Sequence, residues 1–175
     1  MKKDNNTSIV YAFIDSQNLN MGIKSCGWSL DYLEFRNYLR TKYNVKKAYL
    51  FIGYISKNAT LYQYLQECGF ILIFKPVLEI KKGKKITYKG NVDAELVLHA
   101  MIHLKTYRQA IIVSGDGDFR CLVEYLADNK KLLKVLVPNQ RYSSFLREFA
   151  PYIVQLSLLK DKLRSKQVKR SKRKE

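Results

Sequence analysis

Ala110-Ile111-Ile112-Val113-Ser114-Gly115-Asp116-Gly117-Asp118 is the stretch on which the reading of this chain turns. A four-residue apolar run of β type leads straight into a glycine-flanked turn carrying two carboxylates, so a buried strand delivers acid to its own carboxyl end. Acid is scarce here: 32 Lys and Arg stand against 15 Asp and Glu, a formal charge of +17. A second segment of the same design lies near the amino end, where Val10 to Ile14 runs into Asp15-Ser16-Gln17-Asn18.

Outward from these two segments, strand and helix signals alternate. Strand-type runs span Val10 to Ile14, Ala48 to Ile55, Phe70 to Leu78, Ala110 to Val113 and Leu132 to Val137, with a short edge strand at Tyr152 to Leu156. Helical spacing is read at Leu30 to Leu39, capped by Ser29, at Ala59 to Cys68, and at Val92 to Leu104, capped by Asn91. Further helices are expected at Phe119 to Asp128, Tyr142 to Phe149 and Leu158 to Arg164, and Lys81 to Lys85 reads as a basic hairpin tip or loop. Strands separated by helices predict an α/β fold with a parallel sheet covered on both faces. In such a sheet the site forms beyond the carboxyl ends of the strands, where the strand order reverses.

The chain's 175 residues suit one domain, predicted over 1–159, with a basic C-terminal tail over 160–175. That tail holds nine basic residues against two acids, too polar a composition to order itself alone. The excess positive charge fits a polyanion, with nucleic acid the leading partner, although 23 of the 32 basic residues are lysine, as a lysine-rich composition alone would give. The apolar run ending at Asp15 is too short for a signal-peptide core, and no stretch reaches the roughly 18 to 20 apolar residues of a membrane span. A cytoplasmic protein without membrane contact is the expectation. Cys26, Cys68 and Cys121 have no zinc or disulfide spacing and are read as buried, reduced thiols.

Asp93, near the start of the third helix, joins Asp15, Asp116 and Asp118 as a candidate acid. Each taken alone also reads as a helix-start or turn residue. Brought to one edge, the four would repel one another until a proton or a cation relieved them. Oxygen ligands of this kind suit Mg²⁺ or Mn²⁺, and the chemistry they predict is phosphodiester hydrolysis. Asn18 and Ser114 are placed to bind metal waters or a phosphate oxygen, and Lys89 to neutralise the phosphate; turn hydrogen bonds and an exposed lysine are the equal alternatives. His99 and His103 have the i, i+4 spacing of zinc helices but lack the intervening glutamate and a third ligand. No P-loop or dinucleotide fingerprint is present.

The blocks Asp15-Ser16-Gln17-Asn18, Lys89-Gly90-Asn91-Val92-Asp93 and Ser114-Gly115-Asp116-Gly117-Asp118-Phe119 resemble the signature of NYN-domain proteins of the LabA/DUF88 group, relatives of PIN-domain nucleases. The resemblance runs from about Ile9 to Leu156. It implies a PIN-like three-layer α/β/α domain, a divalent-metal site and RNA as substrate, with Asp15, Asp93, Asp116 and Asp118 as catalytic and metal-binding acids and Asn18 as their polar companion. His99 stands where such proteins often carry a further aspartate; a plain, partly buried histidine is one account of it, and a softer ligand, a group behind the ligands or a sign of a weakened site are the others. A metal-dependent ribonuclease is the first reading. A catalytically weak RNA-binding or regulatory module on the same fold is the second.

Single-stranded or structured RNA would be held by Lys81, Lys82, Lys84, Lys85 and Arg141 on phosphates, and by Tyr54, Tyr88 and Tyr142 stacking on unpaired bases. Ordinary packing is the competing account of each aromatic ring. Whether a second copy of the chain or a partner protein takes part is left open by the sequence.

Overall fold

Along β1 (Val10–Asp15) every residue is buried, and the side chains alternate between two separate cores. Val10, Ala12 and Ile14 enter one, Tyr11 and Phe13 the other. A strand covered on both faces needs no polar alternation, which explains the unbroken apolar run. The computed structural model describes residues 9–82 and 85–165, with the side chains of residues 79 and 81–89 outside the described set. The expected phosphate contacts of Lys81, Lys82, Lys84, Lys85 and Lys89, and the expected stacking of Tyr88, therefore lie outside the described residues.

After β1 come α1 (Ser16–Lys24), α2 (Tyr32–Tyr43), β2 (Val45–Tyr54), α3 (Ala59–Glu67), β3 (Ile71–Pro76), β4 (Leu78–Lys82) and β5 (Lys85–Lys89). The second half holds α4 (Asp93–Ile102), β6 (Gln109–Val113), α5 (Arg120–Asp128), β7 (Leu132–Val137), β8 (Ile153–Gln155) and α6 (Lys160–Leu163). Six strands make one sheet in the order β3-β2-β1-β6-β7-β8, and every neighbouring pair is parallel. Leu19 and Ile23 of α1, Phe35 and Leu39 of α2, Leu65 of α3 and Leu163 of α6 cover one face. Leu96 of α4 and Leu122, Val123 and Leu126 of α5 cover the other, giving the expected three-layer α/β/α arrangement.

The strand order places the site. From β1 the chain builds outward through β2 to β3, then returns to the free side of β1 with β6 and builds outward to β7 and β8. Adjacent strands β1 and β6 thus begin the two halves, and their carboxyl ends flank the point where the order reverses. Asp15 ends the first of them, and Ser114 follows the second.

Several elements differ from expectation for physical reasons. Helix α1 was not anticipated, because Asn18, Asn20 and Gly22 are weak helix formers and only Leu19 and Ile23 mark its buried face. α2 starts later than Leu30, capped by Asp31, whose Oδ1 accepts the Glu34 N–H at 3.1 Å, rather than by Ser29. The strand expected over 70–78 ends at Pro76, which has no N–H to donate, and Leu78 opens the β4–β5 hairpin instead. Residues Ser144–Tyr152 form 3₁₀ turns around Pro151 rather than an α-helix. The boundary expected at 159/160 falls inside packed chain: Leu163 is fully buried, and Leu30 and Arg164 pair in an antiparallel bridge. Residues 166–175 of the expected tail lie outside the described residues. Of the cysteines only Cys68 is buried; Cys26 and Cys121 are exposed free thiols. No helix among the described residues is long and apolar enough to cross a membrane.

Candidate active site

Asp15 is the last residue of β1 and the N-cap of α1, its Oδ1 accepting the Asn18 N–H at 3.0 Å. It is only 5% exposed. Strand end and helix start thus share one carboxylate, which fixes its position from both sides. On the neighbouring strand end, the Ser114 hydroxyl donates to Asp15 Oδ2 at 3.4 Å and accepts the Asp116 N–H at 3.2 Å. The Asn18 carboxamide oxygen accepts the Gly115 N–H at 2.8 Å, fastening α1 to the turn after β6. Asp116 Oδ1 accepts the Asp118 N–H at 3.1 Å and so caps the 3₁₀ turn Gly117–Phe119.

Asp93 opens α4, and its N–H donates to Asn91 Oδ1 at 3.0 Å. The Asn91 amide also donates to the Asp93 carboxylate. Three carboxylates from three distant segments, Asp15, Asp93 and Asp116, line a single cleft of about 360 Å³, together with Asn18, Asn91 and Arg141. Asp118 does not line it, but its charge reaches Asp93. Burial pushes the Asp15 carboxyl above its ordinary range, and the Asp93 charge pushes it the same way, while the N–H groups of Asn18 and Gln17 and the Ser114 hydroxyl oppose. Asp93 is raised by burial and by Asp116 and Asp118, against the Asn91 hydrogen bond and the Lys75 ammonium. Burial and neighbouring acids thus push both carboxyls in the same direction.

Other candidates fall differently. Ser114 is a buried strut between Asp15 and Asp116 and does not line the cleft. Tyr142 lines it; Tyr54 does not, packing instead against Tyr62 and Phe74. His99 stands apart from the cleft, edge-on to Phe51 with ring centroids 5.5 Å apart and tilted against Tyr49 and His103. Its Nδ1 is buried without a hydrogen-bond partner. His103 stacks on Tyr49 at 4.9 Å, so the two histidines belong to an aromatic layer under α4.

Two contributors went unread in the sequence. Asn139, two residues beyond β7, is 8% exposed; its amide donates to the Gly22 carbonyl at 2.7 Å and its Oδ1 accepts the Arg141 N–H at 2.8 Å. Its place beyond a strand end was the available signal. Lys75, which pairs with Glu95 at 3.0 Å and lowers the Asp93 pKa, carried none, because its neighbour is set by strand pairing.

The donor set is hard oxygen, as Mg²⁺ and Mn²⁺ prefer. Among the described residues no three His, Cys, Asp or Glu side chains close into a ready-made metal cage. An open cleft with a few carboxylates fits an ion that keeps several waters better than a caged zinc.

Comparison with known proteins agrees with this geometry. The LabA protein of Synechococcus elongatus, named "Low amplitude and bright", is 23% identical over 152 residues, covering 83% of this chain and 82% of that protein. The crystal structure of a protein of unknown function from Vibrio parahaemolyticus superposes with a TM-score of 0.72 at 25% identity, covering 89% of this chain and 96% of that one. The NYN domain profile matches residues 10–157, spanning both strand-end acid blocks and the sheet that carries them, and the chain belongs to the NYN domain family, a PIN-like family of nucleases.

Proposed function

We propose that this protein is a metal-dependent ribonuclease that hydrolyses RNA phosphodiester bonds in the cleft at the ends of β1 and β6. The observation that carries the reading is the meeting of Asp15, Asp93 and Asp116 in one cleft, with Asp15 and Asp93 raised by burial and by neighbouring acids. Mg²⁺ or Mn²⁺ held by these carboxylates, with Asp118 alongside, would polarise the scissile phosphate and acidify a bound water, leaving a 5′-phosphate.

The chain's own residues supply position and charge. Ser114 and Asn18 lock the two strand ends together, so Asp15 and Asp116 present their oxygens without rearrangement. Arg141, exposed on the cleft wall, offers a planar fork of donors to phosphate oxygens. Tyr142 on the same wall offers a ring face to a base. The net charge of +17 supplies the sequence-independent part of RNA affinity, and the cytoplasm is the proposed setting.

The second reading, an RNA-binding or regulatory module with little catalysis, rests on Asp118 standing outside the cleft, which leaves three of the four expected acids lining it. One assay separates the two: a labelled single-stranded RNA incubated with the protein in Mn²⁺, Mg²⁺ or EDTA, beside Asp116→Asn. The ribonuclease reading expects metal-dependent cutting that drops by about 100-fold or more in the variant, while affinity stays within about twofold. RNA that is bound but intact in every metal would favour the binding module.

A further inference from the structure

A cleft at the carboxyl end of α1 is basic. Its volume is about 830 Å³, its walls include Lys24, Trp28, Lys160 and Arg164, and no acidic side chain among the described residues lines it. Lys160 and Arg164 are four residues apart and so project to the same side. Backbone pairing holds these walls in place: the Asp31 N–H donates to the Leu163 carbonyl at 2.8 Å and the Ser165 N–H to the Ser29 carbonyl at 2.9 Å, over the buried Leu163 side chain. Among the described residues Arg164 approaches the carboxylate of Asp161, which is 95% exposed and 4.0 Å away, too solvated to cancel its charge.

Helix α1 joins this pocket to the acid cleft. Gln17, Asn20 and Lys24 recur at i, i+3 and i+7 and share one face. Gln17 lines both the acid cleft and a groove of about 370 Å³ beside the helix, and Lys24 lines both that groove and the basic pocket. From Asp15 to Lys24 the helix rises about 13 Å, at about 1.5 Å per residue. A stacked strand covers that distance in about four nucleotides, at roughly 3.4 Å each.

We propose that Lys24, Lys160 and Arg164 form a second phosphate-binding site, which holds the RNA backbone about four nucleotides from the bond in the acid cleft. This rests on the ribonuclease reading of that cleft. Trp28 is 8% exposed and serves as a wall, not a stacking platform, so the site takes phosphate whatever the base.

The test measures binding rather than cleavage, using the full chain with Asp116→Asn in EDTA so that no strand is cut. A fluorescent trinucleotide is compared with a single strand of about twelve nucleotides, with and without Lys24→Gln, Lys160→Gln and Arg164→Gln together. All three side chains are exposed and Leu163 is untouched, so the variant keeps the parent's melting temperature. The longer strand should bind about tenfold more weakly, its log K against log salt slope should fall by about 2, and trinucleotide binding should not change. A control removing Lys42, Lys46 and Lys105, exposed at the opposite end of the sheet, should stay within about twofold.

The proposal is overturned if the longer strand binds the triple variant as it binds the parent, or if the control loses as much. A parent that binds neither RNA overturns the RNA reading itself, and this site with it.

Discussion

The Asp93 carboxyl accepts the Asn91 amide, feels the Lys75 ammonium and is still pushed upward, because burial and the charges of Asp116 and Asp118 outweigh both. A carboxyl raised in the fold above its ordinary 3.8 contributes stability below that pH and loses it as pH climbs through the folded value. In EDTA, Asp93→Asn should therefore melt higher than the wild type by about 1–3 °C near neutrality, with the gap opening as pH climbs above about 4. Mn²⁺ should raise the melting temperature of the wild type and leave that of the variant almost unmoved; equal shifts would remove Asp93 from the metal site. His99 behaves in the opposite way. Its ring lies among Tyr49, Phe51 and His103, away from the cleft, so restoring the family's aspartate with His99→Asp should bury a charge. The expected cost is about 1–3 kcal/mol of stability with no gain in cleavage, read by denaturant melts and the RNA assay together. A gain in cleavage would instead mark the histidine as the cause of a weakened site.

At the level of elements, α1 depends on a residue that the proposed chemistry also uses. Asp15→Asn keeps a capping oxygen and removes the charge, so it should fold as the wild type does and cut about 100-fold more slowly or worse. Asp15→Ala removes both and should cost a further 0.5–2 kcal/mol or about that much in stability; equal stability of the two variants would show that the cap contributes nothing. The same double use explains what was legible. Residues 10–14 and 110–113 announced buried strands, and the acids beyond them named the cleft, because apolar runs and strand-end acids are local signals. Asp15 was also the available signal for α1, but it had already been read as a ligand, and two buried apolar residues made a weak helix pattern. The close packing of α1 on β7 was out of reach: Gly22 leaves no room for a Cβ against Pro138, a contact between residues far apart in the chain. Asn139, Lys75 and the burial of Leu163 belong to the same class of facts, fixed by which strands become neighbours.

For the molecule as a whole, a cut point tests where the folded body stops. Truncation after Leu159 removes buried Leu163 and its backbone bonds to residues 29–31, and should lower stability by about 2–4 kcal/mol. Truncation after Ser165 should leave the melting temperature unchanged while flattening the salt dependence of RNA binding, as expected for removal of six basic residues. An unaltered salt slope would dismiss the basic extension as an RNA contact. The order of the sheet also bears on how such an enzyme is made. β1 sits at the centre, flanked by β2 on one side and β6 on the other, so its second neighbour is synthesised only after the whole first half of the sheet. A chain still on the ribosome, with synthesis halted before Gln109, has neither the strand that closes the cleft nor Asp116 and Asp118 beyond it. If the cleft cuts RNA as proposed, strand order alone withholds that activity until β6 and the acids after it have been made, a safeguard for the message being translated that needs no inhibitor.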